Sequence, residues 1–338
     1  MIDLKTDYSL LKHNTFHIDV KTANFVEYAS FKDLWDILDK FKNREMPAPW
    51  LHIGSGSNLL FTGDFPGTIL HSCMKGIKIV AESAENVWLK VGAAENWDET
   101  VEYCIEHGWQ GLENLSYIPG EVGAAAVQNI GAYGVEFKEY CTFIEVVDVE
   151  TGNVKTLPSR MCEYGYRQSN FKKDWKKKYI ITAVTLRLNK HPYYRLNYGD
   201  LRERMGDMPI TASRIRTIVG ELRNSKLPDP NVIGNAGSFF MNPIVDREKL
   251  KELEWAYPEI PSYPMDPQSV KIPAAWLIET AGWKGKIIGN VQVYSEQPLV
   301  LVNLGNATGL EIMDVANQIS QSIMDLFKIE LHLEVNVL

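Results

Sequence analysis

The chain has 338 residues, enough for two or three domains that each bury a core. Its hydrophobic content of 45% and charged content of 23% are those of an ordinary globular protein. A formal net charge of −8 argues against a general nucleic-acid binder, yet it leaves room for a local anion site.

The opening residues, MIDLKTDYSLLKHN, carry acids early and no long apolar run, so they do not read as a secretory signal. No stretch approaches the roughly 18 apolar residues that a membrane-crossing helix needs. Cys73, Cys104, Cys141 and Cys162 are widely spaced and form no CxxC pair. They read as reduced, mostly buried thiols rather than a disulfide framework or zinc site. A cytoplasmic location is the expectation.

In chain order, Phe25 to Phe41 has apolar residues at helical spacing (Phe31, Leu34, Trp35, Leu38, Phe41). Trp50 to Ile53, Thr68 to His71 and Val87 to Val91 read as strands, and Trp97 to Glu106 as a helix ending near Gly108. Strands are expected again at Thr142 to Val149 and Tyr179 to Leu188. The basic run Lys172 to Lys178 between them reads as a solvated turn. The chain changes character near Asp207-Met208-Pro209. A helix with Ile215, Ile218, Val219 and Leu222 on one face follows, ending near Leu227-Pro228-Asp229-Pro230. Ala274 to Thr280 looks helical, Val291 to Tyr294 and Leu299 to Asn303 look like strands, and Leu310 to Phe327 is amphipathic. The chain closes in an alternating stretch, Ile329 to Val337. This pattern gives an α+β chain divided as 1–66, 67–207 and 208–338.

Four stretches carry chemistry. Gly54-Ser55-Gly56-Ser57-Asn58 follows a strand and offers backbone N–H groups and short hydroxyls to a phosphate. An ordinary turn fits it equally. It is neither a Rossmann fingerprint, whose third glycine and acid about 20 residues on are missing, nor a Walker loop, since no Lys follows. Ile118 to Gly134 sets repeated Gly and Ala beside Gln128, Asn129 and Tyr133. That combination suits a dinucleotide, and a tightly packed helix is the alternative. Tyr164-Gly165-Tyr166-Arg167-Gln168-Ser169 places a guanidinium between aromatics, a good carboxylate binder when dry. A surface arginine with its stem on tyrosine is the alternative. Gly234-Asn235-Ala236-Gly237-Ser238-Phe239-Phe240-Met241-Asn242-Pro243 displays one hydroxyl between flexible backbone and bulky aromatics. Taken alone, the stretch reads first as a tight turn entering a buried strand, and its surroundings decide between the two. In the terminal stretch, Glu330, His332 and Glu334 share one face of a strand, opposite Leu331, Leu333 and Val335.

These stretches, in this order, resemble the UDP-N-acetylenolpyruvoylglucosamine reductase family, flavoenzymes of bacterial peptidoglycan precursor synthesis. The resemblance runs from Asn14-Thr15-Phe16 to Glu334-Val335. It is most specific at Ile118–Gly134, Tyr164–Asn170, Leu227–Pro230 and Gly234–Pro243. It implies a vanillyl-alcohol-oxidase-type FAD-binding fold of two α+β subdomains, 1–66 and 67–207, with a C-terminal α+β substrate-binding domain at 208–338. Tyr198-Gly199-Asp200, Tyr263 and Lys271 resemble the longer type, which has a tyrosine-bearing loop over the substrate.

The resemblance also implies roles. FAD would be held by Gly54, Ser55, Gly56, Ser57, Asn58, Pro119, Gly120, Gly123, Ala124, Ala125, Gln128, Asn129, Gly131, Ala132 and Tyr133. Arg223 would face flavin or a substrate phosphate. Arg167, Ser238 and Glu334 would be the catalytic trio, with Ser238 the proton donor. The UDP-sugar site would draw on Tyr166, Tyr198, Lys226, Asn242, Tyr263, Lys271 and Gln297. NADPH would be the reductant, the protein a monomer and no metal required. The chain departs from the family pattern at Ala126, Met241, Tyr294 and above all Glu121, an acid set where flavin phosphates are expected. Two rivals are an FAD-dependent sugar or alcohol oxidase of the same fold and a non-catalytic nucleotide-sugar or flavin binder. Oxidases often tether flavin through His or Cys, and the two flavin stretches contain neither. A decayed binder would be expected to have lost one of the trio.

Overall fold

The computed structural model describes residues 2–338, which divide into two compact units. The first takes the chain up to Tyr8, then Thr22–Ser55 and Pro66–Arg223. The second takes Ser9–Lys21, Gly56–Phe65 and Asn224–Leu338. Among the described residues no helix is long and apolar enough to cross a membrane.

The first unit is built on two sheets. A four-stranded sheet orders Leu4–Ser9, Lys21–Tyr28, Phe65–Ser72 and Trp50–Ile53, the last two running parallel. A five-stranded antiparallel sheet orders Val154–Pro158, Cys141–Asp148, Tyr179–Asn189, Asn86–Gly92 and Ile77–Glu82. The helices Trp97–Glu106 and Val122–Gln128 contribute Trp97, Val101, Cys104, Val122 and Ala126 to its core, with Leu89, Val91, Ile144 and Leu186 from the strands. Asn96 starts the first helix by accepting the Glu99 N–H at 3.1 Å.

Most expected elements match within a residue or two. The helix read across Phe25 to Phe41 covers only Phe31–Lys42. Ser30 accepts the Asp33 N–H and caps it, and Phe25 to Tyr28 belong to the preceding strand. The helix Ala212–Asn224 packs within the first unit beside Tyr117 and Asp98, past the change of character at 207–209. Cys104, Cys141 and Cys162 are buried thiols and Cys73 is exposed.

The second unit carries two three-stranded sheets. One orders Ile244–Asp246, Ser269–Lys271 and Tyr263–Pro264; the other orders Ile287–Ile288, Val291–Val293 and Leu301–Asn303. The helix Gly309–Phe327 packs on Val291–Val293 and on the helix Ala274–Thr280. Its inward residues, Ile312, Val315, Ala316, Ile319, Ile323 and Phe327, follow helical spacing. Thr308 and Glu311 close a reciprocal capping box at its start, and Lys328 ends it in the left-handed region.

The terminal alternation does not form one strand. Only Asn336–Val337 is regular, pairing in parallel with Leu59–Leu60. Leu333 meets Phe240 in a single bridge. Alternation alone could not reveal this, because the residues it pairs with are split between two distant segments.

Candidate active site

In the second unit, Gly234–Pro243 is laced between two other segments. Ser238 bridges Val300, the Phe239 N–H donates to the Leu299 carbonyl at 2.7 Å, and the Met241 N–H donates to the His332 carbonyl at 2.8 Å. The Glu334 N–H donates to the Phe239 carbonyl at 2.9 Å, so the proposed carboxylate and hydroxyl lie on adjoining backbone. Phe239 and Phe240 are both buried, with Phe16 edge-on to Phe239 at 6.2 Å. The aromatics therefore fix the turn from beneath, as packed core. Gly237 has φ +68°, where a side chain would be strained, and its N–H donates to Asn235 Oδ1 at 3.0 Å.

Gly56-Ser57-Asn58 joins the same unit. Asn58 Nδ2 donates to the Glu334 carbonyl at 3.1 Å, while its own carbonyl accepts from the Asn336 backbone and side chain. Gly56 has φ +78°, and a β-carbon there would lie 1.9 Å from the His13 carbonyl oxygen. Of the expected sugar-nucleotide residues, Tyr263 and Lys271 are cross-strand partners, and Asn242 Oδ1 accepts the Ala274 N–H at 2.9 Å. Gln297 precedes the Val300 bridge; its Oε1 is buried with no protein partner among the described residues. Lys226 is exposed.

In the first unit, Gly165 and Gln168 exchange both backbone hydrogen bonds, at 3.0 and 3.1 Å, which puts Tyr166 and Arg167 at the tip of a tight hairpin. Arg167 sits at φ +55°, an uncommon setting for a non-glycine residue. Its Nη2 donates to the Gly131 carbonyl at 2.8 Å, and its guanidinium lies 5.6 Å from the Tyr166 ring centre. Tyr133 is close to both Arg223 and Tyr198, meeting the Tyr198 ring edge-on at 6.2 Å. Burial lowers the Arg223 pKa below its usual value; Tyr133 and Asp98 oppose this, and the Arg167 charge adds to it. Burial likewise raises the Tyr133 phenol, against the pull of Arg223. Arg223, beside Tyr133 and within reach of the Arg167 charge, adds a second guanidinium that an anion could meet.

The small-residue stretch forms the helix Val122–Gln128, ended by Asn129 at φ +46°. The Asn129 amide donates to the Gly165 carbonyl at 2.8 Å and to Glu136 at 3.2 Å, so its side chain braces the Arg167 hairpin. A β-carbon on Gly123 would lie 3.0 Å from that of Ala93, and one on Gly54 would lie 3.0 Å from Glu121 Oε2. Pro119, Gly120, Ala124, Gln128 and Ala132 border this surface, Ala125 is buried in the helix, and Ser55 is exposed. Small residues here, with Arg167 bonded to the Gly131 carbonyl, give close approach and positive charge of the kind that a dinucleotide's rings and phosphates use.

Glu121 does not stand alone. Its Oε1 lies 3.1 Å from His71 Nε2, whose Nδ1 is 3.1 Å from Glu27 Oε1. Sequence reasoning missed His71, since nothing in the local pattern ties it to a residue 50 positions on. It also missed Asn114, whose amide donates to the Tyr133 and Arg195 carbonyls at 2.9 and 2.8 Å.

Comparison with known proteins supplies what the geometry alone does not. Residues 229–338 match the UDP-N-acetylenolpyruvoylglucosamine reductase C-terminal domain family, and residues 23–158 match the FAD binding domain family. The chain is 46% identical over 334 residues to the UDP-N-acetylenolpyruvoylglucosamine reductase of Bacteroides fragilis, covering 98% of this chain and 99% of that one. It is 43% identical over 340 residues to that of Amoebophilus asiaticus, covering 100% of each. The solved UDP-N-acetylenolpyruvylglucosamine reductase of Thermus caldophilus shares the fold, with a TM-score of 0.69 at 20% identity over 100% of this chain and 98% of that one.

Proposed function

The chain belongs to the UDP-N-acetylenolpyruvoylglucosamine reductase family, and from that premise we propose how its own residues carry out the reaction. It is an FAD-dependent oxidoreductase that reduces UDP-N-acetylglucosamine enolpyruvate to UDP-N-acetylmuramate. FAD, held by the residues assigned below, would supply the redox chemistry: hydride transfer from NADPH to C3 of the enolpyruvyl group.

Hydride addition at C3 leaves negative charge at C2, shared with the carboxylate. Arg167, held on a tight hairpin, stabilises that charge; a preorganised cation does this without having to reorganise during the step. Ser238 gives its proton to C2, completing the lactyl ether. A serine hydroxyl is a weak acid, so its role depends on positioning and neighbours. Glu334 orients the substrate carboxyl. The observation that carries this assignment is the backbone pairing that joins Glu334 to Phe239, next to Ser238.

The FAD phosphates and rings are assigned to Gly54–Asn58, Gly123, Ala124 and the Gly131–Tyr133 segment, with Arg223 beside them. Asn129 contributes by bracing the Arg167 hairpin through its amide. Tyr166, Tyr198, Lys226, Asn242, Tyr263, Lys271 and Gln297 are assigned to the UDP-sugar. Small molecules are the substrates, and a cytoplasmic monomer is the form proposed. Purified protein should be yellow. Its flavin absorbance should bleach on adding NADPH anaerobically and return on adding the enolpyruvyl UDP-sugar. Bleaching by an alcohol, with return of the absorbance and rapid oxygen consumption once oxygen is admitted, would favour the oxidase reading instead.

A further inference from the structure

One polar cluster in the first unit has no part in the roles above. His71 lies on the strand Phe65–Ser72, Glu27 on the neighbouring strand Lys21–Tyr28, and Glu121 in the turn before Val122–Gln128. Both ring nitrogens of His71 are 3.1 Å from a carboxylate oxygen. A neutral imidazole has one N–H, so only the imidazolium donates to both acids at once. Lys5 is 3.5 Å from the other oxygen of Glu27. Among the described residues His71 is the cation bonded to Glu121, whose second oxygen lies against Gly54.

The other titratable groups facing the ring are His52, Tyr28 and Cys73. Tyr28 Oη lies 2.8 Å from His52 Nε2. Burial and the neighbouring His71 charge push His52 down to about 4, so it stays neutral near pH 7. Burial raises Tyr28 and Cys73, which remain protonated there too. Burial would lower His71 as well, but the two carboxylates outweigh it and its pKa is raised. His71 Nδ1, a Glu27 oxygen and the Cys73 thiol lie within 4.8 Å of one another. The Lys5 ammonium on Glu27 and the carboxylates on both ring nitrogens make this an ion-pair chain rather than a metal centre.

We propose that His71 is a positioning residue for the cofactor phosphates: it holds Glu121 and cancels the negative charge that this acid would otherwise turn on a pyrophosphate at Gly54. The inference rests on the reading that the Gly54 loop and the Gly123-Ala124 surface hold the FAD phosphates. Deprotonating His71 leaves Lys5 to serve Glu27 and leaves Glu121 uncompensated. FAD should therefore bind tightest where the imidazole is charged and loosen as pH rises through its pKa.

The test is FAD affinity of the full chain, read by flavin fluorescence from pH 6 to pH 9. Wild-type protein should lose about tenfold in affinity across that range. His71→Gln should bind about tenfold more weakly at pH 6, with no pH dependence. His71→Gln combined with Glu121→Gln should recover to within about threefold of wild type, since the charge to be cancelled is gone. A merely structural role for His71 would not be rescued in this way. Ser55→Glu and Ala124→Asp, checked for unchanged melting, test the underlying placement. If neither weakens FAD, that placement is wrong. If both weaken it while His71→Gln keeps wild-type affinity and pH dependence, the placement stands and the role of His71 is overturned.

Discussion

The backbone N–H of Glu334 donates to the carbonyl oxygen of Phe239 at 2.9 Å. That bond ties the end of the chain to the serine turn and sets the positions of both proposed catalytic groups. Glu334→Gln retains the shape and the backbone bond and removes only the charge. It should leave melting unchanged and slow turnover with the enolpyruvyl substrate by about tenfold to a hundredfold, measured as steady-state kcat. Unchanged turnover would remove Glu334 from the reaction.

Arg167 differs from lysine in presenting a planar fork, and here one arm of that fork is already bonded to Gly131. Arg167→Lys should slow flavin reoxidation by substrate about a hundredfold, while NADPH still reduces the flavin at its normal rate. Rapid-mixing absorbance would separate the two steps.

Gly56 has no room for a side chain: a β-carbon there would lie 1.9 Å from the His13 carbonyl oxygen, and its φ is +78°. Gly56→Ala should destabilise the fold by about 2–4 kcal/mol, seen in denaturant unfolding.

Arg216 is almost buried; both its terminal nitrogens donate to Asp98, and its guanidinium lies 4.4 Å from the Tyr117 ring centre. Asp98→Ala would leave that cation without its main partner and should cost about 3 kcal/mol. Replacing both residues with apolar ones should cost less than the single change.

The Asp148 carboxylate accepts from Lys155 at 2.7 Å and from the Glu150 and Thr151 N–H groups, which holds its pKa down to about 2. A carboxylate with a lowered folded-state pKa stabilises the fold above its ordinary value of 3.8 and loses that contribution as pH falls through about 2. Asp148→Asn should be less stable than wild type at pH 7, and the gap should close between about pH 4 and pH 2. Parallel melts across that range would show it.

Local signals made much of this legible in the sequence. Trp97–Glu106 and Ala274–Thr280 could be read because apolar spacing and punctuation agree there. The Gly-Ser-Phe-Phe segment could be read as a turn entering packed structure, because a glycine followed by two aromatics marks such a point and Gly237 does sit at positive φ before buried Phe239 and Phe240. The contacts that were not legible are long-range. His71 and Glu121 meet across 50 positions, Asn58 and Glu334 across 276. The second unit draws Ser9–Lys21 and Gly56–Phe65 out of the N-terminal region, where no composition shift marks them. Terminal alternation suggested a strand because period two reports which side chains face inward, not which backbone completes the pairing.

Ser238 offers the sharpest discrimination. Stopped-flow flavin absorbance should be followed in Ser238→Ala, first with NADPH and then, anaerobically, with the enolpyruvyl UDP-sugar. Bleaching should proceed at the wild-type rate, and the return of absorbance should slow by several orders of magnitude, about 4 kcal/mol or more in barrier. Reoxidation at a near-normal rate would contradict the assignment of Ser238 as the proton donor to C2.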